Sequence, residues 1–426
     1  MSAEKSIRQT LYWRSIWVLK YVARFFELIT FRKLDFVIEI FTVPVLLCAA
    51  LISRYRRKRF DVGLGPLPLI NNVYHKRALQ RYGYTARTFT HTVYFITKEF
   101  DHVGEQKSSF LFNRYFLDYS MFLHSIRNYR CVYLYFNGAS LSFGGHFSWR
   151  MEAFLFRLAR VKTVVMPYGG DIQDFTRSTN LLFKNAMTGD YPAHRFKRKE
   201  IMRKIDQWTL NSDHIISGCD WVEYLYHWDT LMLAHFSIDT ELWKPAEIVP
   251  PELQGENRPL RILHAPNHRH QKGSKHFIRA VEELKAEGLN IELVIVQKVP
   301  NEEIRRMIGT VDLVADQLII GWYAMFSLEA MSLGKPVLCY LRKDFEELYI
   351  EHGLVEAGEI PIVNCSPFTV KERIREWYHR RNELPELGRR SREFVLKHHS
   401  LDHVGGVFDR INRSIGILPS EKNTQA

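Results

Sequence analysis

Two runs of alternating strands and helices constrain the fold of this chain more than any other feature of its sequence. In the first run, FDVGLGPLPL reads as a strand entering a loop, INNVYHKRALQRYGY as a helix and TARTFTHTVYFI as the next strand. Further apolar strands follow in RCVYLYF, in VKTVVMPYGG and at the end of IMRKIDQWTLNSDHIISG. Because parallel strands need crossover connections, this alternation predicts a doubly wound parallel sheet.

A second run follows a break in the pattern. The stretch ELWKPAEIVPPELQGENRP contains four prolines and one glycine, a composition typical of a linker. Beyond it, the short apolar strands RILHAP, IELVIVQ, VDLVAD and KPVLCYL are separated by helical stretches such as SKHFIRAVEELKAEG and NEEIRRMIG. The predicted fold class is therefore α/β, with two Rossmann-like domains facing each other across a cleft.

These features predict five parts of the chain of 426 residues. They are a helical, basic segment at 1–59, an N-terminal Rossmann-like domain at 60–243, a linker at 244–258, a C-terminal Rossmann-like domain at 259–395, and a C-terminal helix and tail at 396–426. We expect the C-terminal helix to cross back to the N-terminal domain.

The first sixty residues hold most of the positive charge. They contain twelve Lys and Arg against four acids, a balance of +8, which leaves +4 of the net +12 for the other 366 residues. A nucleic-acid-binding protein would carry basic residues across its folded domains, so the sequence predicts no nucleic-acid partner. The five cysteines form no C-x-x-C pair, which argues against a zinc site or a disulfide framework.

A membrane segment is predicted at the end of this basic region. The stretch LDFVIEIFTVPVLLCAALIS has about the length that spans a bilayer. The basic residues Arg54, Arg56, Arg57, Lys58 and Arg59 follow at once and are expected at an anionic cytoplasmic membrane surface. Asp35 and Glu39 disfavour a clean crossing, so residues 36–52 are expected either to span the membrane or to dip into it. The alternative is a pair of amphipathic helices packed on the protein's own domain, one of them in SIRQTLYWRSIWVLKYVARFFELITF.

An anion site is predicted after the first strand of the second run. Asn267, Arg269, Lys272 and Gly273 lie just before a helix that begins near Ser274. Free backbone N–H groups and the helix dipole favour a phosphate at such a position. The alternative interpretation is a solvated basic loop.

Glu329 is the second half of this predicted site. The start of its helix, around Trp322–Ser327, should face the same crevice, with Glu329 one turn further in. A carboxylate accepts hydrogen bonds from a diol, and a ribose offers one. A phosphate site and a diol acceptor in one cleft predict a nucleoside diphosphate ligand.

At this point the sequence resembles a known family. The element LEAMSLGKPVLCY, with KGSKHFIRAVEEL upstream and SIDTELWKP before the linker, resembles the family 4 (group 1) glycosyltransferases of GT-B fold, of the bacterial envelope-polysaccharide type. The resemblance covers roughly residues 60–415 and is strongest between Ser237 and Leu341.

The resemblance implies roles for individual residues. Glu329 matches the second glutamate of the family's E-x7-E motif, which binds the donor ribose, and Lys272 matches the lysine that contacts the donor diphosphate. The first glutamate falls on Gly321, which puts sugar selection and activity in doubt. Asp316 is the candidate replacement for that carboxylate, or else a helix or turn cap. Arg269 is the candidate for the family's arginine, whose usual positions hold Pro266 and Asn267.

Two further candidates come from the N-terminal domain. His146 is the candidate polar group near the reacting carbon, although a lone histidine is more often structural. Asp171 follows Gly169 and Gly170 in a loop that resembles the family's G-S-D-type loop.

The resemblance implies a retaining, metal-independent glycosyltransferase with no cofactor beyond its nucleotide-sugar donor. It also implies that the domain at 60–243 binds the acceptor and that the domain at 259–395 binds the nucleotide sugar. No D-x-D pair is evidently placed to hold Mg²⁺, which is consistent with metal independence. A lipid-linked saccharide acceptor and a peripheral, monotopic or single-anchored position on the cytoplasmic face of the inner membrane are further expectations. The alternatives are a catalytically inactive GT-B scaffold acting as a membrane-bound assembly subunit and, with weaker motif support, a GT-B isomerase. The base, the sugar, the linkage and the oligomeric state stay open.

Overall fold

Two parallel sheets form the framework of the chain. The computed structural model describes residues 36–93, 98–105, 113, 116–142, 147–246, 250–255 and 257–420. The first sheet has seven strands in the order β3-β2-β1-β4-β5-β6-β7, and the second has five in the order β12-β11-β10-β8-β9. The strands are β1 (Phe60–Leu64), β2 (Ala86–Thr90), β3 (His102–Val103), β4 (Tyr129–Tyr135), β5 (Lys162–Met166), β6 (His214–Gly218), β7 (Thr230–Met232), β8 (Leu260–His264), β9 (Ile291–Ile295), β10 (Leu313–Gln317), β11 (Val337–Cys339) and β12 (Ile362–Asn364).

Helices connect the strands and cover both sheets. The α-helices are α1 (Phe36–Tyr55), α2 (Ile70–Arg81), α3 (Leu117–Asn128), α4 (Glu152–Leu158), α5 (Leu181–Asp190), α6 (Arg198–Asn211), α7 (Arg269–Lys272), α8 (Ser274–Ala286), α9 (Asn301–Gly309), α10 (Met325–Ser332), α11 (Lys343–Glu351), α12 (Val370–His379), α13 (Leu384–His398) and α14 (Leu401–Ser414). Short 3₁₀ turns lie at Phe147–Met151, Pro192–Phe196, Cys219–Glu223, Pro251–Leu253 and Arg381–Glu383.

The central strand β4 explains why the first sheet is buried on both faces. Alternate side chains of a strand point to opposite faces. Cys131 and Tyr133 belong to the apolar cluster that includes residues of α2 and α14, whereas Val132 and Leu134 belong to the larger main core. β4 pairs in parallel with β1 and β5. Near-continuous apolar strands of this kind are typical of parallel sheets covered by helices on both sides.

The second sheet is built in the same way. All five residues of β10 are buried, and the strand pairs in parallel with β8 and β11. The predicted fold class of two doubly wound α/β domains is confirmed, and α1 is compatible with the predicted N-terminal extension.

Helix α14 packs on the first domain. Val404, Phe408 and Ile411 join the apolar cluster formed with Val62 and Leu79. Tyr133 donates a hydrogen bond from its hydroxyl to Asn412 Oδ1 at 3.0 Å. The chain therefore returns to its first sheet after completing the second, while the five predicted domain boundaries stay predictions.

Helix α1 lies along the first domain with one face buried. Leu46 and Ala50 are buried in the main core. Near the start of the helix Glu39 accepts a hydrogen bond from the backbone N–H of Phe147, and near its end Ser53 donates to the carbonyl of Ile126 at 2.5 Å. The opposite face is apolar and exposed: Phe41 is 72% and Ile52 69% exposed. By length and composition α1 could cross a membrane, a test that core helices and signal sequences also pass. The other predicted amphipathic helix lies outside the described residues.

Candidate functional site

The predicted anion loop lies at the carboxyl edge of the second sheet, after β8. Helix α7 ends at Lys272 and is followed by Gly273, which has φ of +72°; α8 starts at the next residue. A Cβ at position 273 would lie 3.1 Å from Cβ of Leu318, the residue after β10, so glycine suits both the backbone conformation and the space. Ser274 is buried, and its hydroxyl lies 2.8 Å from Nε2 of His264. These contacts hold the start of α8 against the strand ends.

Lys272 forms an ion pair with Asp316, the candidate replacement carboxylate. The ammonium bonds to Asp316 Oδ1, and Ser327 donates from its hydroxyl to Asp316 Oδ2 at 2.5 Å. The Asp316 side chain is fully buried, and that of Lys272 is 16% exposed. Both oxygens of Asp316 are therefore engaged. This arrangement favours positioning of the lysine over contact between Asp316 and a sugar.

Glu329 lies on α10 beside this ion pair. Asn301, the first residue of α9, donates from Nδ2 to Glu329 Oε1 at 2.8 Å. Burial raises the pKa of Glu329 to about 7, and the charge of Asp316 adds to the rise while Asn301 and Lys272 oppose it. Glu329 Oε2 accepts no hydrogen bond from any residue in the described ranges. The structure thus brings Lys272 and Glu329 close enough for their charges to interact, with one carboxylate oxygen still available.

Asn267 and Arg269 are exposed at the entrance to this site. Within the described part of the chain, the guanidinium of Arg269 makes no hydrogen bond or ion pair. Arg269 is therefore available to an incoming anion, whereas Lys272 already bonds to Asp316 through one of its three N–H donors. Its role as replacement for the family's arginine stays a prediction.

Gly321 holds the position of the missing glutamate, and Arg342 occupies the space beside it. Gly321 has φ of +107°, and a Cβ there would lie 2.7 Å from Cδ of Arg342. Arg342 donates to Glu223 Oε2 at 3.1 Å and to the Thr179 hydroxyl at 3.0 Å, both in the first domain. The aliphatic part of the Arg342 side chain, whose guanidinium bonds to the first domain, thus lies where a glutamate at 321 would need room.

Other contacts place residues of the first domain against the carboxyl edge of the second sheet. Asn180 donates from Nδ2 to the carbonyl of Ile319 at 2.7 Å. Asp190 accepts from the backbone N–H of Gln271 at 3.0 Å, inside the anion loop. Burial raises the pKa of Asp220 to about 7, and Lys272 is among the charges that oppose the rise. The predicted site therefore lies between the two domains.

The environment of Asp171 differs from the one expected for a residue that contacts the donor sugar. It is 1% exposed, and its carboxylate accepts from the backbone N–H groups of Phe136 at 3.0 Å, Tyr168 at 3.1 Å and Gly169 at 3.0 Å. Asp171 thereby ties together the loops after β4 and β5. The other candidate of this domain, His146, lies outside the described residues.

Several site residues were missed by the sequence analysis. Asn301 is the first residue of a predicted helix, and its spacing from Glu329 carries no motif. Arg342, Glu223 and Asn180 act through contacts between domains, which no local pattern reveals. Asp220 lies two residues after the end of a predicted strand, so its position near a strand end was a usable signal.

The basic residues in the last turn of α1 and directly after it differ in their contacts. Lys58 donates from its ammonium to the carbonyls of Ser53 at 2.8 Å and Ile126 at 2.5 Å, and burial is the first cause of a pKa lowered to about 8. Arg54 is partly buried, whereas Arg56, Arg57 and Arg59 are exposed. Among the residues that the structure describes, no group of three or more His, Cys, Asp or Glu side chains is arranged to hold a metal ion.

The chain is similar to several solved structures. The match to sucrose-phosphate synthase from Thermosynechococcus elongatus covers 84% of this chain and 99% of the synthase chain, with 11% identity and a TM-score of 0.54. HepE of Anabaena, solved in complex with UDP, matches 84% of this chain and 100% of its own at 12% identity and a TM-score of 0.54. No protein-family model matches the chain, and no curated protein matches its sequence. The structural likenesses confirm the predicted fold: this chain has the GT-B fold of the group 1 glycosyltransferases.

Proposed function

We propose that this chain is a glycosyltransferase that moves a sugar, with retention and without a metal, from a nucleoside-diphosphate sugar to a saccharide acceptor. The acceptor is lipid-linked, and the reaction serves the synthesis of cell-envelope polysaccharide or glycoconjugate. The protein works at the cytoplasmic face of the inner membrane.

One observation carries the donor side of this proposal. Lys272 and Glu329 lie together at the carboxyl edge of the second sheet, and Glu329 keeps one oxygen free of described partners. A ribose diol can donate to that oxygen while the diphosphate lies against the start of α8. HepE, which has a similar fold, is solved with UDP-glucose, so UDP is the first nucleotide to test.

The chemistry of the transfer needs stabilisation of the departing diphosphate. Negative charge grows on that group as the glycosidic bond breaks, and preorganised cations and N–H groups lower its energy. Lys272, Arg269 and the amides near Ser274 supply these groups. Asp316 and Ser327 hold the lysine in place before the donor arrives, so little reorganisation is needed when the charge develops.

Helix α1 supports the membrane side of the proposal. Its exposed face carries Phe36, Phe41 and Ile52, and exposed arginines follow its last turn. An apolar helix face next to a basic cluster is typical of attachment to an anionic membrane surface. A lipid-linked acceptor is the substrate that such a surface would present.

Calorimetry with UDP, GDP and dTDP tests donor binding. We expect one of them to bind, and Lys272→Ala to weaken that binding by about ten- to hundredfold, as for a lost hydrogen bond to a charged group. Lys275→Ala is the matched control, because Lys275 is an exposed lysine at the start of α8, three residues after Lys272, and takes no part in the ion pair with Asp316. Transfer from the corresponding nucleotide sugars to membrane extracts then tests activity. A folded chain that binds none of the three nucleotides would refute the proposal.

A second candidate function is favoured by Arg342. Because the side-chain methylenes of Arg342 fill the space beside Gly321, the chain can be a GT-B scaffold that binds nucleotide without catalysis and serves as a membrane-bound assembly subunit. Nucleotide binding that depends on Lys272, with no transfer from any nucleotide sugar, would support this scaffold over the enzyme.

A further inference from the structure

An open pocket of about 570 Å³ lies between the end of α1 and helix α3. Its described lining holds three arginines and two histidines but no acid: Arg56, Arg59, Arg127, His102 and His124. A volume of this size is within the usual range of ligand sites. The composition predicts an anionic ligand.

The positive charge of this pocket belongs to its arginines. The guanidinium groups of Arg56, Arg59 and Arg127 make no hydrogen bond or ion pair with the residues that the structure describes. The rings of His102 and His124 are stacked, with centroids 3.8 Å apart. Burial lowers the pKa of both histidines, that of His124 to about 4, so neither adds charge at neutral pH. Three cations thus face one pocket without a counter-charge in its described lining.

The position of α1 indicates where this pocket lies relative to a membrane. The contacts of Glu39 and Ser53 with the domain are fourteen residues apart, so roughly 21 Å of the helix axis follows the domain surface. A helix fixed along a folded domain cannot cross hydrocarbon by itself. Its exposed apolar face instead suits insertion in the plane of the interface. The pocket lies at the carboxyl end of this helix. With the helix inserted in that way, the pocket would lie at the level of the lipid headgroups.

We propose that this pocket binds the phosphate of an anionic phospholipid headgroup and so fixes the orientation of the protein on the membrane. The inference rests on the membrane placement proposed above. Arginine is suited to this ligand because its planar guanidinium matches phosphate oxygens in a bidentate geometry.

The phosphate of a bulk phospholipid fits this position better than that of the acceptor. Arg59 directly precedes β1, and Asn128 directly precedes β4, so the pocket lies at the amino ends of these strands. The cleft between the domains lies at the carboxyl ends. The seven residues of β4 span roughly 23 Å, which separates the pocket from the site of transfer.

Flotation of the full-length chain with vesicles tests the pocket. We expect binding to phosphatidylcholine vesicles that contain phosphatidylglycerol and weak binding to phosphatidylcholine alone. Arg127→Gln should weaken binding to the anionic vesicles by more than about tenfold, because it removes a charged hydrogen-bond donor. The matched control is Arg57→Gln, which removes an exposed arginine of the same cluster that does not line the pocket. Loss of one surface charge should cost about fivefold. Unchanged melting temperatures would show that both variants fold.

Each other outcome overturns the inference in a recognisable way. Equal losses for Arg127→Gln and Arg57→Gln would mean general attraction to a charged surface, without a pocket. A loss confined to vesicles that carry a polyprenyl diphosphate would assign the pocket to the acceptor. No binding to any vesicle would refute both the pocket and the membrane placement. It would not affect the proposed donor site, which calorimetry with nucleotides tests independently.

Discussion

The two domains bury carboxylates at equivalent edges of their sheets but use them differently. Asp171 and Glu152 lie in the first domain, and Glu329 lies in the second. Burial raises the pKa of all three to about 7. Asp171 and Glu152 each accept from three backbone N–H groups, whereas Glu329 accepts, within the described part of the chain, from the side-chain amide of Asn301.

This difference shows that a raised pKa does not by itself identify a binding carboxylate. A carboxylate whose oxygens are taken by backbone donors holds loops together, because moving it would leave those donors unpaired. A carboxylate with one side-chain donor keeps capacity for a ligand. The partners of each oxygen, and not the extent of burial, separate the two roles.

The largest expected effect is loss of stability in Asp171→Ala. Three backbone N–H groups would lose their acceptor, and each buried unpaired donor costs about 1–3 kcal/mol, so we expect the free energy of unfolding to fall by at least roughly 3 kcal/mol. Urea unfolding followed by circular dichroism measures the change. Asp171→Asn, which keeps an acceptor oxygen, should recover part of it. A stable Asp171→Ala protein that binds nucleotide normally but has lost transfer would instead assign Asp171 to the sugar.

The fold was predictable because its signals are local. Apolar strands such as KTVVM and LVADQ recur between helical stretches, and a proline-rich linker separates two such runs. The short strands β3, β7 and β12 were missed, since two or three residues carry no periodicity. Helices α3, α5, α11, α12 and α13 were also left unassigned.

The candidate site was predictable only in part. Lys272 and Glu329 could be named because each follows a recognisable element. The partners of Asp316 and Asp171 depend on which loops come together, and the sequence does not show that. The sequence also does not show that the side chain of Arg342 lies beside Gly321, because this contact depends on how the chain folds between two residues that are 21 positions apart.

Loss of nucleotide affinity in Glu329→Gln is the next largest expected effect. The amide oxygen is a weaker acceptor for ribose hydroxyls, and we expect affinity for the bound nucleoside diphosphate to fall about ten- to hundredfold. Calorimetry measures this fall. Glu302→Gln is the matched control, since Glu302 is exposed next to Asn301. If the affinity of Glu329→Gln for the nucleotide were unchanged, Glu329 would be a structural acid like Asp171. The contrast between the buried carboxylates of the two domains would then disappear.

The pH dependence of nucleotide binding gives a smaller effect. The pKa of Glu329 is raised to about 7, so the group is mainly a neutral acid at pH 6 and a carboxylate at pH 8. Because a carboxylate accepts hydrogen bonds from both ribose hydroxyls, affinity should rise with pH, by up to about tenfold over these two units. The diphosphate also titrates in this range, and Glu329→Gln keeps only that contribution. Identical pH profiles for the wild type and Glu329→Gln would exclude titration of Glu329.

The smallest effect is expected for Asn301→Ala. Loss of the amide donor removes a hydrogen bond that favours the charged form of Glu329, so the pKa of Glu329 should rise further. A bond worth about 1 kcal/mol corresponds to roughly 0.7 pH units and about a threefold loss of affinity near neutrality. Calorimetry across the same pH series should show the midpoint moved upward and near-normal affinity at high pH. Asn290→Ala, which removes an asparagine of the same domain that bonds elsewhere, serves as control. An unmoved midpoint would mean that the affinity of the second domain for nucleotide does not depend on how its carboxylate is held, and the distinction drawn from the partners of each oxygen would then fail.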